Sequence, residues 1–193
     1  KNSLMFVQNL LYLGKKIKDN KKRRLKMVQA SRLTKKEMVE LLKSNVPGWN
    51  NYIQSINSDI DLSRANLGGT HLRHVNLSGA NLSGANLINV NLSHTNLSGV
   101  NLRRAILKFA DLSHANLSGA EISFVCFPYA NLKHVNLRNA NLVAAGFGKA
   151  NLYGADFTDA ILYCADFTCA NISHAILNKS LTRVNLETVK KKK

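Results

Sequence analysis

The sequence predicts an all-β solenoid preceded by a basic, partly helical N-terminal extension. Three observations carry this expectation. From Leu62 to Leu177 every fifth residue is large and apolar. The residue two before each of these is small or β-branched, and the one between is mostly Asn or Asp. The net charge of +16 over 193 residues is gathered at the two ends and almost absent from the repetitive part.

The period decides the architecture. Of the 24 large positions, 18 are Leu, 2 are Ile (Ile122, Ile172) and 4 are Phe (Phe127, Phe147, Phe157, Phe167). Two residues before them stand 16 Ala, 5 Val, 2 Thr (Thr70, Thr95) and Ile60. A step of five rotates an α-helix by about 140°, so no helical face stays apolar. A flat strand has period two and cannot use the pattern either. A coil with one straight side per five residues can: the small and the large residue point inward, and two polar residues turn the corner. Stacked coils then pair their backbones about 4.8 Å apart, each covering the apolar edge of the last.

The run ANLSGANLINVNLSHTNLSG, Ala80 to Gly99, resembles the pentapeptide-repeat proteins, whose unit is written A(D/N)LXX. The resemblance runs without a gap over residues 60–177. It implies a right-handed quadrilateral β-helix with four quintets per coil, hence about six coils and a rod of roughly 29 Å at the strand spacing. At Leu181 and Leu186 the step slips to four residues and then returns to five, which is read as an irregular last coil. The expected division is a basic arm over 1–33, capping helices over 34–58, the β-helix over 59–178, and an irregular coil with a basic tail over 179–193.

Ahead of the repeat, Thr34 and Glu37 form a capping box that opens a helix over KKEMVELLKS, with Pro47 expected to end it. Trp49, Tyr52, Ile53 and Ile56 then share one helical face. A solenoid leaves an apolar end and open strand edges unless its terminal coil is covered, so these helices are expected to cap the first coil. The segment around Trp49 and Asn50 is similar to the lead-in of some pentapeptide-repeat domains.

A coil of four quintets makes each residue a neighbour of the one twenty later. His74, His94, His114, His134 and His174 then fall in one outward column, with Tyr153-Gly154 in the remaining place. Stacked imidazoles could bind a metal or sense pH. The stronger expectation is structural. The second turn position should favour φ > 0, and 14 of the 24 such residues are Gly, Asn, His or Asp. No carboxylate stands in that column, and like charges repel, so the histidines are expected to be mostly neutral at pH 7. Cys164, Cys169 and His174 point from successive sides and do not converge on a zinc ion. Ser78-Gly79, Ser98-Gly99 and Ser118-Gly119 mark an ordinary solvated column. The other two columns bring Phe109, Phe124, Tyr129, Val143 and Tyr163 to the outside, flanked by Arg103, Arg104 and Lys108. Clustered exposed aromatics of this kind suggest a protein contact. Inside, Phe127, Phe147 and Phe167 share a column and should stack as core.

Charge points to further partners. Residues 1–43 hold 13 Lys/Arg and 3 Asp/Glu, or +10; Lys190, Lys191, Lys192 and Lys193 add +4; residues 60–177 hold 8 basic and 6 acidic side chains. Lys15, Lys16, Lys18, Lys21, Lys22, Arg23, Arg24 and Lys26 form a basic arm suited to a solvated surface, to a protein partner, or to nucleic acid or another polyanion. The apolar spacing of Leu4, Val7, Leu10 and Leu11 before it also suits peripheral contact of residues 4–26 with an anionic membrane, or a partner's groove. Three cysteines, Cys126, Cys164 and Cys169, make no disulfide framework, so a reducing compartment is expected, cytoplasmic or the interior of an organelle, and not secretion. Lys1 in place of Met is expected to mark a processed or trimmed start. No apolar run approaches the ~20 residues of a membrane-spanning helix.

Catalysis is not expected. The sequence shows no paired acid and base, no nucleophile beside an orienting base, and no phosphate-cradling glycine loop. Neither a cofactor nor a small-molecule substrate is implied. The expected role is a scaffold, an accessory subunit that binds a protein through the aromatic patch and flat faces while its basic ends anchor it. Association with nucleic acid or ribonucleoprotein is the alternative. The resemblance also implies a third role, since some family members mimic DNA and modulate type II topoisomerases. That role needs an acidic surface, which this body lacks.

Overall fold

A computed structural model describes residues 33–56 and 59–177, which fall in two compact units divided ahead of Asp59. The arm, the C-terminal slip and the lysine tail lie outside these residues.

The first unit contains two helices, α1 (Lys35–Ser44) and α2 (Val46–Ser55). Thr34 and Glu37 close the capping box in both directions. The Glu37 amide donates to Thr34 Oγ1 at 3.3 Å, and the Thr34 amide donates to Glu37 Oε2 at 2.8 Å. The Thr34 amide, and then the Thr34 hydroxyl, which also donates to Glu37 Oε2 at 2.8 Å, hold the Glu37 carboxyl below its ordinary range. The helix break lies earlier than Pro47. Asn45 ends α1, with its amide on Leu41 O at 2.8 Å, and opens α2 by accepting from the Gly48 amide at 2.9 Å. Pro47 sits in the first turn of α2, where a missing N–H costs nothing. Ile56 is extended, φ −110°, and lies past the helix end rather than on its face. Met38, Leu41, Leu42 and Trp49 are buried, and Tyr52 accepts the Leu33 amide through its hydroxyl at 3.2 Å.

The second unit is a four-sided coil. Among the described residues every quintet from Asp61 contributes one isolated parallel bridge position, and each bridge joins residue i to i+20, from Asp61–Asn81 to Asp156–Ile176. Four quintets therefore make one circuit. We number the faces by their strands: the first holds 60–62 and its equivalents, the second 65–67, the third 70–72, the fourth 75–77. Each face is followed by its corner of the same number.

The corner is a four-residue turn. Its closing bond runs from the next small residue back to the large one, as in Ala65 N to Leu62 O at 3.1 Å and Ala120 N to Leu117 O at 3.1 Å. Among the described residues, every second turn position from Arg64 to His174 has positive φ, between 53° and 67°, as a type II turn requires. Most large residues are preceded by Asn or Asp, and an Asn there works in two directions. Its Oδ1 accepts the amide of its own corner, as Asn96 does from Ser98 at 3.2 Å, while its Nδ2 donates to the coil before, as Asn96 does to Asn76 at 3.2 Å.

The interior holds the small and large residues without a gap along the coil, and Leu77, Leu97, Leu117 and Leu137 are fully buried. The two interior threonines return their hydroxyls to a turn carbonyl, Thr95 Oγ1 to Leu92 O at 2.6 Å. Behind the second face Phe127, Phe147 and Phe167 stack with centroids 5.2 and 4.9 Å apart, and Phe157 meets Phe147 edge-on at 6.1 Å. Truncating this stack creates a void that parallel coils cannot close. Phe147→Ala should lower the unfolding free energy by about 3–5 kcal/mol in urea; a loss under about 1 kcal/mol would mean that the column is not core.

Candidate functional site

The outer surface follows a rule, and the candidate site is where the rule lapses. Along the second face the ladder position reads Asn66, Asn86, Ile106, Cys126, Gly146, Asp166. Asn86 Nδ2 donates to Asn66 Oδ1 at 3.2 Å, and there the ladder stops. Ile106 is 51% exposed, and the Cys126 thiol is exposed and free. Neither can accept the corner amide as Asn does. At Cys126 the loss is matched in the chain itself, because the residue two later is Pro128, which has no N–H to satisfy. Gly146 leaves room for its neighbour: a Cβ there would stand 3.2 Å from Cys126 Sγ.

Aromatics line both edges of this face. On the first corner Phe124 is 69% exposed, one coil below Arg104 and one above Ala144. On the second corner Phe109 and Tyr129, each about half exposed, meet with centroids 5.2 Å apart. Lys108 Nζ lies 5.0 Å from the Phe109 centroid and Lys149 Nζ 5.2 Å from that of Tyr129. Lys149 also donates to the Tyr129 hydroxyl at 3.1 Å, which raises its pKa. All three aromatics occupy the positive-φ position, with φ of 58° at Phe109, 59° at Phe124 and 60° at Tyr129. A bulky L-residue there costs about 1–2 kcal/mol, where Gly or Asn would cost much less.

The residues expected to cluster are thus divided by geometry. Phe109 and Tyr129 touch, while Phe124 faces them across a strand about 10 Å wide. Val143 is half-buried on the first corner, and Tyr163 stands exposed one coil beyond it. Arg103 is turned to the first face, where its guanidinium donates to Glu121 Oε2 at 3.2 Å. Ile106, Cys126 and Gly146 were not singled out from the sequence, although breaks in the Asn column, taken every twenty residues, mark them. Ile161 and Ile176 interrupt the same pattern on other faces and are also exposed. Lys15, Lys16, Lys18, Lys21, Lys22, Arg23, Arg24, Lys26 and Lys190 to Lys193 lie outside the described residues.

On the third corner the histidines form a ladder. Centroids are 5.3 Å apart for His74–His94, 4.8 Å for His94–His114 and 5.1 Å for His114–His134, and Tyr153 joins His134 to His174 at 5.4 and 5.0 Å. All five histidines have positive φ. Among the described residues no group of three or more His, Cys, Asp or Glu is arranged to hold a metal ion, and no helix is long and apolar enough to cross a membrane.

A family model for Pentapeptide repeats matches residues 60–99, 95–128, 115–145 and 140–178, with eight copies. The chain belongs to the pentapeptide-repeat family. Pentapeptide-repeat proteins fold as right-handed four-sided β-helices and are in general structural or interaction proteins rather than enzymes. Among solved structures the chain is similar to full-length QnrB1, a plasmid-mediated fluoroquinolone resistance protein, at 23% identity and a TM-score of 0.61, over 67% of this chain and 66% of that one. It is also similar to Rfr23, a pentapeptide-repeat protein from the cyanobacterium Cyanothece 51142, at 25% identity and a TM-score of 0.55, over 67% of this chain and 97% of that one. The match spans 64–66% of the QnrB1 chains' own length, and at that identity the likeness is one of fold. No curated protein matches the chain.

Two outcomes follow from this geometry. Asn at 106 would resume the ladder below Asn86, and Asn at 124 would relieve a strained corner, so the double variant I106N/F124N should be at least as stable as the parent in urea. A loss above about 1 kcal/mol would show that the pair holds the fold. At the third corner, desolvation within the stack, then the charges of Arg73, His114 and His74, lower the pKa of His94 against the pull of Asp111. The unfolded chain, with His at about 6.5, then binds the proton more readily. The His94 contribution is complete above that value and is lost as pH falls through the folded pKa. The melting temperature should fall between about pH 7.5 and 5.5, and His94→Asn should make that fall shallower; an unchanged slope would refute the assignment.

Proposed function

We propose that this pentapeptide-repeat protein is a non-catalytic scaffold, an accessory subunit of a larger assembly in a reducing compartment. A rigid rod of about six coils presents its second face to a protein partner, and the basic ends anchor it. The observation that carries this reading is the coincidence of two departures on one face. The Asn ladder lapses at Ile106, Cys126 and Gly146, and on the flanking corners Phe109, Phe124 and Tyr129 sit in backbone geometry that disfavours them. Packing does not account for either departure, because these side chains point to solvent. Exposed aromatics held on a rigid frame suit a contact surface. Elsewhere the described exterior is mostly small or polar, with Ile161, Tyr163 and Ile176 as scattered exceptions, and the inward residues fill the rod.

The charge at the ends supports a second reading, association with nucleic acid or ribonucleoprotein through residues 15–26 and 190–193. A DNA-like surface is not supported, since the body carries eight Lys/Arg against six Asp/Glu. Pull-downs with the parent, with I106N/F124N and with a chain lacking residues 1–30, each with and without nuclease, separate the two. The scaffold reading expects partners lost from I106N/F124N and retained after nuclease. Partners lost with residues 1–30 and with nuclease, and retained by I106N/F124N, would overturn it.

A further inference from the structure

Resting on the reading of the second face as a protein contact, we propose that its occupant is a short, extended, acidic segment of a partner protein carrying a large apolar anchor. Size, shape and charge lead to this. The apolar part spans Ile106, Cys126 and Gly146, three coils at about 4.8 Å, and one strand width of about 10 Å. That footprint is far below the ~800 Å² per partner of a stable globular interface, so a second copy docked face to face is not favoured. It matches about four to five residues of extended chain.

The relief seats one side chain. Phe124 and Tyr129 stand on opposite corners of the same coil. One coil further, the surface drops to Ala144, Gly146 and Gly148, all partly exposed, and a Cβ on Gly148 would meet nothing within 4 Å. An apolar residue resting on this floor is walled by both aromatics and covers the Cys126 thiol.

Charge selects the flanks. Arg104, Lys108 and Lys149 border the face. The nearby Arg103 is turned away to Glu121, and Asp166 at the lower end sets one negative charge against the three cations. Cations on both edges favour carboxylates on either side of the anchor and repel a second copy of the same face. Two of the three aromatics, Phe109 and Tyr129, are not open stacking platforms for bases, which leaves Phe124 as a single open ring. Lys108 lies over Phe109, Lys149 lies over Tyr129, and the two rings meet each other. A peptide therefore fits better than a single strand of nucleic acid.

A random twelve-residue peptide library, selected on the full chain and counter-selected on I106N/F124N, tests this. The variant keeps every Lys and Arg, so peptides held only by the basic ends are removed. The surviving peptides should carry more Asp/Glu than Lys/Arg around at least one aliphatic or aromatic residue. Their affinity should drop at least tenfold on I106N/F124N, on Gly148→Leu, which fills the floor, and on K108E/K149E. Surviving peptides that are neutral or basic would overturn the acidic occupant while leaving the face a protein contact. No survivors at all would sink both. Competition by a twenty-residue oligothymidylate on the parent but not on I106N/F124N would assign the face to nucleic acid. Sedimentation showing a dimer for the parent and a monomer for I106N/F124N would assign it to a second copy.

Discussion

The solenoid depends on one backbone requirement, a left-handed residue at every corner. With positive φ at the second turn position the chain bends after five residues, the small residue's amide closes onto the large residue's carbonyl, and the next strand starts with its side chains facing in. Four such corners return the chain to its starting azimuth after twenty residues, so each residue meets its equivalent one coil away. The interior leucines, the asparagine ladder and the histidine stack all follow from that return.

The requirement also explains which residues the surface tolerates. Glycine takes positive φ freely, and asparagine and histidine take it with modest strain. The third corner filled with histidine and the fourth largely with Ser-Gly pairs. The imidazoles stack because coil spacing places rings 4.8–5.3 Å apart, which is the distance that the backbone ladder sets. Their column is a consequence of register. The second face differs because its departures work against the rule: it gives up side-chain hydrogen bonds and accepts strained aromatics. Stability given up on a surface that contributes nothing to the core is what supports the contact site proposed above.

Rigidity gives the departures their value. Each strand is a single bridge long, yet every coil is tied to the next on four faces, and Phe127, Phe147 and Phe167 stack directly behind the altered face. The exposed aromatics are therefore held in fixed positions, and a partner binding there orders little that is not already ordered.

The sequence alone determined the solenoid, its quintet period and the identity of the core. A period of five excludes helix and flat sheet, and Leu, Ala and Phe have one place to go. It also marked the left-handed corners through their glycines, asparagines and histidines, and it foresaw the Thr34–Glu37 capping box. Pro47 was misplaced by one helix, because the same residue can stop a helix or open one. Asn45, able to cap both, decided the matter. Phe109, Phe124 and Tyr129 were legible as outward residues, but which of them touch was not. That depends on how far apart two corners stand across a strand, a distance between chain segments that a linear pattern does not contain. Ile106, Cys126 and Gly146 were legible as breaks in the Asn column every twenty residues; only the tertiary structure showed how far they are exposed and that the Cys126 thiol lies against Gly146, because where a side chain turns over the neighbouring coil is not written in a linear pattern.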